Sequence, residues 1–446
     1  MDRVAALVQA HDYRQALVRL WVLASDPARL NEWEQARGGK SRFEATVTRF
    51  EREIAGEGAL SAEDMRTAPL ALVRALDAFI AAHRQPDMDA AHVHGHHLAF
   101  HEDGQRYWLV PVTQQARREV PLAKQVGNRH AWFQHHAVLP TTTSHGIHVS
   151  VTVSEDILDA TFAKLRAQES GTLKVWIAHF TDGADVQWDR ETSASRNWRT
   201  THIAPTDVRR ESILQAVQHA SEAGAHVLVF PEFTVDLEHR RALEAHLQRR
   251  ESSCLALLVT GSFHEPVPQG QTRTAYNTAP VYDATGESLF SHQKLRIFGE
   301  LDNGAEHVEL GRKLHVLVTP VGCMTVLICK DFMDEHESVR TLLSEVPVDW
   351  VFVPSFGNAS TLRAHKARAK SLANVTVGTN TVVAQTQNSA MAPAGKPLQH
   401  LPGFGHGAGA KESSDVGESG GAVMFPMRKQ EPPGTAKGKP PLRLVP

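Results

Sequence analysis

The chain has 446 residues, too many for one ordinary domain and enough for two with sizeable cores. Its formal net charge of -3 provides no global basic field, so charge gives no ground for a nucleic-acid partner, and no apolar stretch approaches the length of a membrane span. Three cysteines (Cys254, Cys323 and Cys329) contain no CxxC pair, which argues against a disulfide framework and a zinc ribbon; with no long apolar run near Met1, a reducing, cytoplasmic setting is expected.

From the start of the chain to about residue 85 the pattern is helical. Val4, Leu7, Leu17, Leu20, Trp21 and Leu23 recur at roughly helical spacing, as do Phe43, Val47, Phe50 and Ile54. Leu70, Leu72, Val73, Leu76, Phe79 and Ile80 predict a third helix ending before Pro86. Residues 97–113 change period, and Glu102, Asp103 and Gly104 mark a hairpin turn between two apolar runs. Residues 114–150 are mixed, and 155–168 predict a helix. The domain boundary is expected near Gly171. That gives an accessory domain over 1–170, mainly helical and of unassigned role, a second domain over 171–430, and a disordered, proline-rich tail over 431–446.

Beyond 171 strands and helices alternate. Strands are expected at 173–180, at 227–232, at 255–261 and around 279–283 with a turn at Gly286. Ile213, Val217, Ala220 and Ala223 place one apolar face on a helix over 207–223, and Gly224 stops it. A second helix is expected over 237–249. Further strands follow at 315–319, 324–328 and 350–353, then a helix over 360–373 and a strand at 381–384. The segment 386–420, rich in Gly, Ser, Ala and Pro, reads as a long loop before a last strand at 421–426.

Ten of the 26 histidines lie between His92 and His148. His92 and His94, with His135, His136, His145 and His148, could in principle gather as metal ligands. No cysteine or acidic spacing supports that, so the preferred reading is a polar surface with some hydrogen-bonded histidines, and no metal or cofactor is expected.

Three residues carry chemistry. Glu232 ends the apolar run 227–231, Lys294 lies between two apolar strand candidates, and Cys329 ends the run 324–328. Taken singly, a strand-end carboxylate is commonly a surface group, a buried cysteine inert packing, and a lysine near a turn solvent-facing. All three at strand ends of one alternating region is a much rarer arrangement, and strand ends are where sites collect in open sheet folds. A thiol can attack a carbonyl, a carboxylate can move protons and an ammonium can stabilise an oxyanion.

The motifs around them resemble the carbon–nitrogen hydrolase (nitrilase) superfamily. Val229, Phe230, Pro231 and Glu232 match its first motif; His292, Gln293, Lys294 and Leu295 its second; Ile328, Cys329, Lys330 and Asp331 its third. The resemblance covers about 172–426. It implies a four-layer αββα sandwich of the nitrilase type, here with an N-terminal mainly helical accessory domain, and a homo-oligomer, a dimer or higher. It also implies Glu232 as general base, Lys294 as oxyanion stabiliser, Cys329 as nucleophile and the backbone N–H of Lys330 as a second oxyanion donor. For the second glutamate of many members, Glu300 lies closest to expectation, with Glu306 and Glu309 as competitors. The side chain of Lys330 departs from the aromatic, arginine or asparagine usual after the cysteine. The Cys-Lys-Asp run resembles amidase branches, with Asp331 a branch marker outside the bond-breaking step. The function implied is cysteine-dependent, amidase-like hydrolysis of a small-molecule amide through a thioester. The alternatives are a non-catalytic binding or regulatory protein on the same scaffold and a soluble acyl transferase.

Overall fold

The computed structural model describes residues 1–83, 99–112, 127–153, 171–180, 186–190, 198–249, 254–266, 275–299, 304–319, 321–333, 338–375, 379–387, 403–407, 410–417 and 420–427. Two sheets form its centre. In the first, Val227–Val229 pairs in parallel with Thr172–Ala178 on one side and Leu257–Val259 on the other. Ala275–Asp283 continues this sheet past Leu257–Val259 and also pairs antiparallel with Phe263–Pro266 and Ser288–Gln293. At the opposite edge Gly420–Pro426 and Lys411–Gly417 add an antiparallel pair. The second sheet runs Gly403–His406, Asn380–Gln387, Trp350–Gly357, Gly322–Val326, Lys313–Thr319 and His148–Val153.

Side-chain alternation makes these strands a sandwich. Val227 and Val229 face Val326, Trp350 and Phe352 in one buried cluster between the sheets. Leu228 points the other way, onto Ile213, Val217, Leu243 and Leu247. On the second sheet, Val351 and Val353 face outward onto Leu362, Ala369 and Leu372. Each central strand is thus buried on both faces, which is why it reads as a nearly continuous apolar run. The covering helices are Thr206–Glu222 and Leu237–Gln248 on one side, Ser338–Glu345 and Ala359–Val375 on the other. Gly224, at φ +66°, lets the chain leave the first of them, and Asp236 caps the second by accepting from the N–H groups of Glu238 and His239. The layers are helix, sheet, sheet, helix: an αββα sandwich.

The N-terminal helices are Asp2–Gln9, Tyr13–Leu23, Pro27–Ala36, Lys40–Arg52, Ala62–Thr67 and Pro69–Ala82. They bury one apolar cluster that includes Leu17, Trp21, Phe50, Leu72 and Leu76. Trp132, Phe133 and Val138 join that cluster from the region of a three-stranded sheet, Phe100–Glu102, Gln105–Pro111 and His136–Pro140. The alternate residues of this small sheet, Val110, Ala137 and Leu139, pack with the outer face of the sandwich.

Two expectations need correction. A boundary near Gly171 would leave residues 1–170 as a separate accessory body, but His148–Val153 is the parallel edge strand of the second sheet, in register with Lys313–Val318. Val149 and Val151 supply its buried face, an alternation passed over among residues read as mixed. Polar ties reinforce the join: His130 Nε2 meets the carbonyl of Ser344 at 2.7 Å, and Glu345 accepts from the N–H of Ser144 at 2.8 Å. The segment 386–420 is likewise not one long loop, since Gly403–His406 and Lys411–Gly417 are strands. Two of its glycines, Gly403 and Gly405, permit close approach. A Cβ on Gly403 would overlap the carbonyl of Val383, and one on Gly405 would overlap Val423. The predicted helix at 155–168, His92 to His97 and the tail from 431 lie outside the described residues.

Candidate active site

Glu232, Lys294 and Cys329 converge where the two sheets meet. Glu232 follows Val227–Val229 of the first sheet, Lys294 follows Ser288–Gln293 of the same sheet, and Cys329 follows Gly322–Val326 of the second. The strand Trp350–Gly357 ties them across the gap. Its Pro354 carbonyl accepts from the N–H of Cys329 at 2.8 Å, and its Ser355 carbonyl accepts from the N–H of Glu232 at 3.3 Å. All three side chains are buried, none more than 2% exposed.

Lys294 Nζ donates to Glu232 Oε1 at 3.0 Å and to Glu306 Oε2 at 2.7 Å. Asn277 Nδ2 bridges the same two carboxylates at 2.9 and 2.7 Å. Behind Glu306 stands His264. Its Nδ1 accepts from the N–H of Thr200, so its proton sits on Nε2 and is donated to Glu306 Oε1 at 2.8 Å. The second glutamate of the cluster is therefore Glu306, one of the two competitors. Glu300 lies outside the described residues, and Glu309 is exposed.

Electrostatics separate the two carboxyls. Burial raises Glu232 above its ordinary value, the ammonium of Lys294 opposes that shift, and the charge of Glu306 adds to it. Burial also works against ionised Glu306, but Lys294 and the hydrogen bond from His264 outweigh it and hold this carboxyl at about 2. Burial disfavours the charged form of Lys294, yet Glu232 and Glu306 together hold the ammonium well above its normal range. Burial pushes the Cys329 thiol up to about 12, with the charge of Glu232 adding and Lys294 opposing. The cluster thus holds one fixed anion, one fixed cation, one carboxyl whose hold on a proton is raised, and a thiol that is protonated at rest. Two titratable groups pushed in opposite directions are what acid–base chemistry needs.

Cys329 has φ +40°, a left-handed backbone uncommon for a residue with a side chain. It stands at the bend between its strand and the helical turn Lys330–Met333. The first N–H groups of such a turn have no partner within it, so the N–H of Lys330 is available as a donor. Asp331 holds this bend. Its carboxylate accepts from the N–H of Leu295 at 2.9 Å and of Ile328 at 3.1 Å, pinning the residue after the lysine to the residue before the cysteine. Sequence reading treated Asp331 only as a branch marker and missed this tie. Asp331→Ala strands two buried donors, so it is expected to lower unfolding free energy by about 2 kcal/mol or more in urea titration. An unchanged midpoint would show that the tie contributes nothing.

A cavity of about 930 Å³ lies against the same hairpin, with Tyr276, Gln293, Leu295 and Asp331 in its wall, but neither Lys294 nor Cys329 lines it. Two histidines of 130–148 are held in hydrogen bonds: His136 Nδ1 pairs with buried Asp77 at 2.8 Å, and His148 Nδ1 meets the Thr142 hydroxyl at 3.3 Å. Among the described residues no helix is long and apolar enough to cross a membrane.

No curated protein sequence matches the chain. Among solved structures it is similar to a cysteine-to-alanine mutant of the Nesterenkonia sp. AN1 amidase from the nitrilase superfamily, at 20% identity, a TM-score of 0.41 and coverage of 59% of this chain and 93% of that one. A glutamate-to-glutamine mutant of that amidase, carrying the acetamide moiety of fluoroacetamide on its active-site cysteine, is similar at 16% identity, a TM-score of 0.40 and coverage of 58% and 90%. The Caenorhabditis elegans NitFhit protein is similar at 14% identity, a TM-score of 0.40 and coverage of 58% and 61%. The description "carbon-nitrogen hydrolase" belongs to the family that matches residues 206–336. That stretch, a little under a third of the chain, is similar to the family and holds Glu232, Lys294, Glu306 and Cys329.

Proposed function

We propose that this protein hydrolyses a small carboxamide through a thioester on Cys329. The observation that carries this reading is the buried Glu232–Lys294–Glu306 network beside a thiol at a strained strand end. The thiol is protonated at rest, so it needs a base. Glu232, raised above its ordinary value by burial, takes that proton as Sγ attacks the amide carbon. Negative charge then develops on the carbonyl oxygen, where the Lys294 ammonium and the Lys330 N–H donate. As the tetrahedral intermediate collapses, Glu232 returns the proton to the departing nitrogen, and ammonia or an amine leaves. The acyl group remains on sulfur. Glu232 next deprotonates a water that attacks the thioester, and the carboxylic acid is released with the thiol restored.

Glu306 takes no proton in this scheme. Held at about 2, it stays charged and keeps Lys294 charged and aimed. A nitrile would require protonation of a thioimidate nitrogen in place of a leaving amine. The Cys329–Lys330–Asp331 run favours the amide. Ammonia release from a panel of small carboxamides, with the matching nitriles alongside, tests the choice. At least one carboxamide should be turned over at 1 s⁻¹ or more in order of magnitude, roughly the low end for enzymes. Rapid turnover of nitriles with every amide untouched would overturn the substrate class.

A further inference from the structure

The sulfur of Cys329 has a second neighbour that the scheme above leaves unused. The Ser355 hydroxyl lies 3.5 Å from Cys329 Sγ and 2.9 Å from His365 Nε2, with all three side chains buried. Ser355 belongs to the strand Trp350–Gly357 and His365 to the helix Ala359–Val375 that covers it. His365 Nδ1 is buried and has no hydrogen-bond partner among the described residues. Burial holds His365 neutral, at about 3, so only one of its nitrogens carries a proton.

Two arrangements are open to this pair. If Nε2 accepts the serine proton, the hydroxyl cannot also donate to sulfur, and the histidine proton sits on Nδ1 as a buried donor without an acceptor. If Nε2 carries the proton and donates to Ser355 Oγ, the hydroxyl proton is free to point at Sγ, and Nδ1 is left with only a lone pair. A buried N–H without an acceptor is the rarer of the two defects, so the second arrangement is favoured. It puts a donor on the nucleophile in addition to the groups of the Lys294 network.

We propose that Ser355 holds the Cys329 thiolate by a hydrogen bond and that His365 is a positioning residue that fixes the direction of the serine hydroxyl. The proposal rests on Cys329 being the nucleophile. No proton leaves Ser355; as Glu232 takes the thiol proton, the serine O–H bond stays intact and its dipole meets the charge that appears on sulfur. The Phe356 carbonyl, 3.7 Å from Sγ, accepts from the resting thiol, whereas the Ser355 hydroxyl and the Phe356 backbone both oppose the upward shift of the sulfur, as donors to its charged form do. Ser355 therefore acts on the charged form alone, which is where a donor assists the reaction. The other charged or titratable groups around the sulfur are Glu232 and Lys294, with Glu306 behind the lysine and Asp331 on the turn of Cys329 itself. His365 meets the ring of Phe332 at 5.8 Å.

The test is the pH dependence of iodoacetamide alkylation at Cys329 in the full chain, with the labelled peptide identified by mass spectrometry, beside kcat and KM for a carboxamide. Losing a hydrogen bond to a charged group is worth about tenfold or more, so Ser355→Ala should move the alkylation profile up by about one pH unit. Its kcat should fall by about tenfold with KM little changed. His365→Leu should move both readouts the same way. His365→Gln, whose amide can still donate to Ser355, should recover most of the loss. If folded Ser355→Ala alkylates at Cys329 with the wild-type profile, the hydroxyl does not hold the thiolate and the proposal falls alone. If wild-type label appears on exposed Cys254 and never on Cys329, the nucleophile assignment falls and takes this arm with it.

Discussion

Cys329→Ala is expected to abolish carboxamide hydrolysis, a loss of about 10⁴-fold or more, because the thiol that carries the acyl group in the proposed scheme is gone. The fold should survive. Cys329 packs in the layer between the sheets with Ile328 and Val229, and replacing a thiol by a methyl removes one atom from a site that still holds the Asp331 tie. The other two cysteines give the control. Cys254 is exposed, and Cys323 sits inside the strand Gly322–Val326, packed with Leu314 and Val351 away from the cluster. Cys254→Ala and Cys323→Ala should both retain turnover within about threefold, since neither thiol borders the network. Assay of the three variants with unfolding curves measured alongside checks this. Substantial turnover by Cys329→Ala would end the nucleophile assignment.

Glu232→Gln is expected to cost about 10²- to 10⁴-fold in kcat, the usual contribution of a positioned general base. The amide can still accept from Lys294 Nζ and fill the same space, so loss of packing does not account for a fall of that size. The same change should slow alkylation of Cys329, since the proton acceptor for the thiol is gone. It should also remove a feature of the pH profile. In the proposed scheme Glu232 works only when ionised, and its folded value is raised, so kcat/KM should fall as pH drops through a point above the ordinary value of that carboxyl. In Glu232→Gln that acid limb should disappear. Glu306 bears on stability with the opposite sign. Its depressed value stabilises the fold above its ordinary 4.5, and that contribution is lost as pH falls toward about 2. Glu306→Gln should therefore flatten the acid side of the unfolding curve, while the acid limb of kcat/KM should persist but move to lower pH, since the charge that helps to raise Glu232 is gone. A Glu232→Gln enzyme with wild-type alkylation and an intact acid limb would place the proton acceptor elsewhere.

The residues legible in the sequence are those at the ends of buried strands. Glu232 and Cys329 each follow an apolar run, Lys294 follows the strand Ser288–Gln293, and the topology that brings such ends together is shared by many sheets. Their support was hidden for two reasons. Asn277 and His264 are single polar residues on strands, and what they contact, Glu306, lies 29 and 42 residues further on, a distance at which no period operates. Glu306 itself sits between strands, so nothing in the pattern ranks it above Glu300 or Glu309; only the hydrogen bonds of Lys294, Asn277 and His264 do. Ser355 follows Pro354 on a strand whose apolar neighbours disguise it, and His365 lies on the covering helix ten residues later. The domain boundary near Gly171 failed because Val149 and Val151 complete a sheet whose next strand begins at Lys313, a pairing between distant segments.

The most direct test of the whole account is the mass of the protein caught during turnover. Wild-type protein quenched in acid while hydrolysing a carboxamide should carry the mass of the acyl group, lost on treatment with hydroxylamine and mapped to the peptide holding Cys329. The Glu232→Gln protein, unable to activate water, should either hold that adduct longer or fail to form it, and Cys329→Ala should never show it. An adduct on another residue, or steady hydrolysis with no acyl group on Cys329 at any quench time, would contradict the thioester and with it the central claim.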